Sequence, residues 1–179
     1  SDLENQILEN ARQPASAPFD PMLKQFSLPT DSLKAPLGGF DFEMIRQAVP
    51  IFLADLSWEA LQKLNQLMTA PEKPFLTVVC YGSDVIAFSG SDTPLPLYGM
   101  AFDIGTTTVV GYLYDMNTGH MLAQASALNG QIRFGADVIS RIAAAGESET
   151  QLFEIHTAII DTLSGIIAEV CRQAQIASS

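Results

Sequence analysis

Apolar and polar residues alternate along this chain in two rhythms, one of helices and one of strands. "FDFEMIRQAVPIF" brings Phe42, Ile45 and Val49 to one side at helical spacing. "SWEALQKLNQLM" does the same with Trp58, Leu61, Leu64 and Met68 behind a capping Ser57. "FLTVVCY", the turn Gly82, Ser83 and Asp84, then "VIAF" read as strand, turn and strand from their β-branched content. Beyond Pro94 and Pro96 the period becomes two. Tyr98 to Asp103, Thr107 to Tyr114 and His120 to Ala127 are three expected strands, the last two joined by a tight turn from Asp115 to Gly119, and together a three-stranded antiparallel meander. A short helix is expected from Asp137 to Ala145. A long one should follow a capping box of Ser148 and Gln151, with Leu152, Ile155, Ile159, Leu163, Ile166 and Val170 as its apolar stripe.

These elements give an α/β (α+β) class in three stretches. Residues 1–29 hold a short polar helix at 2–12 and then Pro14, Pro18, Pro21 and Pro29, and so read as a linker or extended arm. Residues 30–97 form a small α+β middle domain, and residues 98–179 open a second unit. The chain begins without methionine and stops just past a helix, so both ends are expected to be cuts in something larger.

Composition narrows the partners. The 179 residues are 47% hydrophobic and 16% charged, a globular balance, with a net charge of −11. Acids outnumber bases 12 to 6 before residue 98 and 8 to 3 after it. Neither part offers the clustered Lys and Arg that nucleic acid or an anionic membrane requires. Two cysteines, Cys80 and Cys171, make no disulfide framework and no metal-ligand spacing. There is no signal peptide or membrane span, and a cytoplasmic location is expected.

The chemistry concentrates in "YGMAFDIGTTTVVGYLYD". Strand alternation sets the small face of Gly99, Ala101 and Asp103 opposite Tyr98, Met100 and Phe102. Gly105 permits a left-handed or closely approached backbone, and Thr106, Thr107 and Thr108 offer successive N–H groups and hydroxyls suited to phosphate oxygens. No lysine follows Lys73 and no GxxxxGK[ST] pattern exists, so this is not a P-loop. Mg²⁺ held through water by Asp103 would offset the phosphate charge. The same residues are also compatible with an ordinary hairpin in which Asp103 caps the turn and the threonines simply favour strand.

The turn between the first two strands of a meander resembles the first phosphate-binding element of the acetate and sugar kinase, heat-shock chaperone and actin superfamily, whose ribonuclease-H-like subdomains clamp ATP. That resemblance implies Asp103 on the metal side and Gly105, Thr106, Thr107 and Thr108 on the phosphates. With "ASALNGQIRFGADVISRI" added, the chain resembles the reductive activators of corrinoid proteins. This implies an ATP-dependent parent that restores the reduced cobalt of a corrinoid methyl-transfer protein, using a ferredoxin-like two-iron two-sulfur domain absent here. Residues 98–179 would then be the truncated start of an actin-like ATPase domain. The chain alone is expected neither to hydrolyse ATP efficiently nor to transfer electrons, and a half-covered sheet should favour a homo-oligomer. A sugar or acid kinase, an actin-like filament protein, or a dimerisation module without catalysis are the alternative readings. Asn129, Gln131, Arg133, Asp137 and Arg141 form a polar cluster at a helix start, compatible with the lining of a cleft or interface in the parent but read first as a capped helix with solvated charges. His120 and His156 read as structural, Cys80 as a small buried hydrophobe, and Trp58 as core.

Overall fold

The computed structural model describes residues 19–34, 41–69, 73–91 and 93–177, so the expected helix at 2–12 lies outside the described residues. Six strands form two antiparallel sheets of three: β1 (Leu23–Pro29), β2 (Phe75–Tyr81) and β3 (Asp84–Ser89) in the first, β4 (Tyr98–Ile104), β5 (Thr108–Asp115) and β6 (Met121–Leu128) in the second. The strands lie in chain order within each sheet, as hairpins and meanders require. The helices are α1 (Phe42–Ala48), α2 (Trp58–Thr69), α3 (Val138–Ala145) and α4 (Glu149–Ala174).

The first sheet departs from the expected arm. Leu23–Pro29 is not a linker but an edge strand, pairing with β2 from Leu23 opposite Tyr81 to Pro29 opposite Phe75. Its prolines explain both the misreading and the outcome. Pro21 precedes the strand and Pro29 ends it on an edge, where a missing N–H costs no ladder bond. Between them "LKQFSLP" alternates well enough to pair. β2 is buried along Leu76, Thr77, Val78, Val79 and Cys80, as befits the central strand.

Leu33, Ile45, Val49, Leu53, Leu64, Leu76 and Val78 make the first core. Asp41 caps α1 by accepting from the Glu43 N–H, and Ser57 Oγ accepts from the Ala60 N–H at 3.2 Å as expected. The buried face of α2 is rotated from the one expected. Ala60, Leu64, Leu67 and Met68 pack inward, whereas Trp58 is 72% exposed and Leu61 is also out in solvent. Trp58 is therefore not core. It occupies the first helical position, where the chain enters from the rim of the module.

The second unit keeps the expected meander and two helices. Val109, Gly111 and Leu113 alternate inward on the central strand β5 and meet Ile166 and Val170 of α4. A Cβ at Gly111 would sit 2.4 Å from Ile166 Cγ2, so glycine here is what lets helix and sheet close together. The β5–β6 turn is held by Asp115, whose side chain accepts from the Asn117 N–H at 2.8 Å and the Thr118 hydroxyl at 3.0 Å, while Gly119 takes φ +77°. Asp137 caps α3 in a full capping box with Ser140, and Ser148 Oγ caps α4 by accepting from Gln151 N–H.

Candidate functional site

β4 delivers the turn. Met100 and Phe102 face the second core, so Ala101 and Asp103 stand on the opposite, exposed face, as alternation demands. Asp103 pairs in register with Val110 and its carboxylate is open to solvent. Gly105 does not adopt a left-handed backbone. Close approach is its role: a Cβ would lie 2.8 Å from the Thr108 carbonyl oxygen.

In a closed two-residue hairpin, Gly105 and Thr108 would exchange two backbone bonds. Only one is made, from Gly105 N–H to Thr108 O at 3.0 Å. The Gly105 carbonyl accepts instead from Asn129 Nδ2 at 2.8 Å. The next carbonyl, of Thr106, accepts from Arg141 Nη2, and the one after, of Thr107, accepts from the Asn129 N–H at 2.8 Å. Three consecutive carbonyls are thus occupied by two residues far along the chain. A trans peptide sets its N–H opposite its C=O, and no cis bond interrupts the described chain. The N–H groups of Thr106, Thr107 and Thr108 therefore each point away from the partner that holds the adjoining carbonyl. Those of Thr106 and Thr107 donate to no acceptor among the described residues. Successive outward N–H groups beside exposed threonines are the chemistry by which a backbone turn can receive anionic oxygens.

The polar cluster divides. Asn129 is 2% exposed and Arg141 8%, so neither is the solvated group expected. Asn129 Oδ1 accepts from the Gln131 N–H at 3.0 Å, and Arg141 Nε donates to the Gly135 carbonyl at 3.0 Å. Among the described residues no carboxylate lies within ion-pair distance of Arg141. Gln131 is half-buried, with Nε2 donating to the Ile155 carbonyl at 3.1 Å. Arg133 is exposed over the Phe134 ring, and Asp137 is exposed as the cap of α3, so these two fit the plain reading. The signal that could have separated Arg141 was in the sequence: a lone arginine amid "VISRIAAA", an otherwise apolar helix.

The donor set suits a phosphate and a hard cation together: one open carboxylate, unpaired N–H groups and hydroxyls. Among the described residues no three His, Cys, Asp or Glu side chains gather. Mg²⁺ beside Asp103 would therefore complete its shell with water and phosphate oxygens, which is its usual habit. An iron-sulfur cluster does not fit this chain, which has two cysteines where such clusters take four. Cys80 is fully buried, and burial pushes its thiol up to about 11, far from a reactive thiolate. His120 and His156 are exposed and away from the turn. No helix among the described residues is long and apolar enough to cross a membrane.

Comparison with known proteins adds identity to this geometry. A family model described as the RACo middle region matches residues 98–179. The word "middle" thus attaches to the second sheet's unit, whereas residues 30–97 were the stretch expected to carry it. Corrinoid activation enzyme RamQ of Eubacterium limosum is 41% identical over 173 residues, 96% of this chain and 29% of the relative. A solved structure of a reductive activator for corrinoid, iron-sulfur protein superposes with a TM-score of 0.80 at 26% identity, covering 92% of this chain and 27% of that one. The chain thus spans under a third of the length of the proteins it matches. Across nearly its whole length the chain resembles the corrinoid reductive activators, and its second unit matches the RACo middle region.

Proposed function

We propose that this chain supplies the first phosphate-binding wall of an ATP-dependent reductive activator that returns the cobalt of a corrinoid methyl-transfer protein to its reduced state. The observation that carries the reading is the turn at 105–108, with its carbonyls held inward, its N–H groups outward and Asp103 open beside it. Asp103 would orient Mg²⁺ through water, and Gly105, Thr106, Thr107 and Thr108 would receive phosphate oxygens. When bound, Mg-ATP supplies the free energy of phosphate release. The residues of this chain bind and orient that phosphate end.

Residues 98–179 are, on this reading, the opening part of an actin-like ATPase domain, and the adenosine and the second phosphate element would be held by chain beyond this one. Electrons would come from a two-iron two-sulfur domain also outside it. The names of those relatives, corrinoid activation enzyme and reductive activator, supply the substrate class, and reducing chemistry of that kind suits a cytoplasmic location. A kinase or a filament protein could use the same turn, but the 41% identity to a corrinoid activation enzyme favours the activator.

Calorimetry of Mg-ATP against a chain extended to the relatives' length, beside its Asp103→Ala variant, tests this. Binding that falls at least about tenfold in the variant is expected, the scale of one charge-assisted contact. An extended chain that binds no nucleotide would sink the reading.

A further inference from the structure

Resting on the nucleotide reading above, we infer that Asn129 and Arg141 are positioning residues for phosphate, and that Arg141 brings positive charge through one peptide group to a turn that has no lysine beside it in sequence. The argument begins from the cost of the arrangement. An arginine that is 8% exposed and makes no ion pair among the described residues, with Asp137 acting on it only weakly from a distance, is an expensive thing to keep folded. Its hydrogen-bond acceptors are two neutral carbonyls, of Gly135 and Thr106.

The Thr106 carbonyl belongs to the same peptide as the Thr107 N–H. A cation bonded to the oxygen polarises that peptide and strengthens the N–H as a donor on the far side, since hydrogen bonds in a chain reinforce one another. Asn129 does the mechanical part. Its side chain withdraws the Gly105 carbonyl from Thr108, and its backbone N–H holds the Thr107 carbonyl, so the turn cannot relax into a closed hairpin with its donors used up. Asn129 is itself fixed by the Gln131 N–H on Oδ1, which assigns Nδ2 to Gly105. A phosphate seated on the Thr106 and Thr107 N–H groups would be the counter-charge that Arg141 lacks, one peptide away.

Three variants in the full chain separate these roles, read by the amide resonances of Thr106 and Thr107 with and without magnesium pyrophosphate. Arg141→Met keeps the side-chain length and removes the charge and both donors. Asn129→Asp keeps the acceptor for Gln131 and removes the donor to Gly105. Arg141→Lys keeps the charge. The wild-type amides are expected to be ordered and to shift downfield on titration. Arg141→Met and Asn129→Asp should each lose order at Thr106 and Thr107 and weaken pyrophosphate binding at least about tenfold. Arg141→Lys should recover part of the affinity lost in Arg141→Met. Unchanged order and unchanged affinity in both Arg141→Met and Asn129→Asp would overturn the inference. If the wild type ignores pyrophosphate while the variants still lose order, the clamp stands and the nucleotide reading falls. Thermal melts of all three confirm that the comparison is between folded chains.

Discussion

At the scale of single residues, the molecule uses its few charges in different ways. Arg141 is buried against carbonyls, whereas Asp137, four residues earlier, is an exposed cap. The Ser140 backbone N–H on Asp137, followed by the Ser140 hydroxyl and more weakly by Arg141, holds its carboxyl below the ordinary value of 3.8. A carboxyl whose folded pKa is depressed stabilises the fold above the unfolded value and loses that contribution as pH falls through the folded one. Asp137→Asn keeps a good cap but no charge at the start of α3. The wild type should therefore melt higher than Asp137→Asn above about pH 4, with the gap closing as pH drops toward 2. A gap that is the same at pH 2 and pH 6 would remove the charge from the account and leave only the hydrogen bond.

Elements make different demands, and glycine at position 111 shows them most directly. α4 runs 26 residues, about 39 Å at 1.5 Å per residue, and crosses the meander over β5. Its contact depends on Gly111, where a methyl group would meet Ile166 at 2.4 Å and the Phe102 ring at 3.0 Å. Gly111→Ala should destabilise the second unit by about 1–3 kcal/mol, the usual range for overpacking, despite alanine's better strand propensity. Chemical denaturation of the variant measures it, and a neutral or stabilising result would mean that helix and sheet have room to separate.

The same contact explains what the sequence could and could not convey. The meander, α3, α4 and most of its inward stripe, Ile155, Ile159, Leu163, Ile166 and Val170, were legible because local period and caps agree with the tertiary outcome, whereas Leu152, expected on that stripe, lies exposed in the first turn of α4. Strand β1 was not, because Pro21 and Pro29 read as arm until a neighbour with a free edge is known. The rotation of α2 was hidden too, since Trp58 and Leu61 fit an apolar stripe as well as Ala60 and Leu67 do. At the candidate site, Asp103 and the threonine turn stood out from type and spacing alone. The apolar helix around Arg141 hinted at its burial, but the partners of Asn129 and Arg141 needed the fold, because nothing local says that a residue 24 or 35 positions away will take the carbonyls of the turn.

On the scale of the whole molecule, the two sheets carry separate cores that share no residue. They are bridged by a seam of polar contacts, with the Phe19 ring lying against Gly119. Gln25 exchanges bonds with the Leu95 backbone, 2.8 Å each way, and donates to Asn117 Oδ1 at 2.6 Å, while Asn117 Nδ2 returns to the Leu95 carbonyl at 3.0 Å. A few part-exposed hydrogen bonds contribute little next to a packed apolar interface, so each sheet should open on its own. Ile166→Ala, which empties the centre of the second core, should lower stability there by about 2–5 kcal/mol. Native-state hydrogen exchange is the measurement. Protection should fall along β5, β6 and α4 and stay unchanged along β1 and β2. Equal loss in both sheets would show that the seam at Gln25 and Asn117 couples them into one cooperative unit. In that event a change at the threonine turn would be felt by the first module. Independence confines the turn's influence to its own sheet and helices.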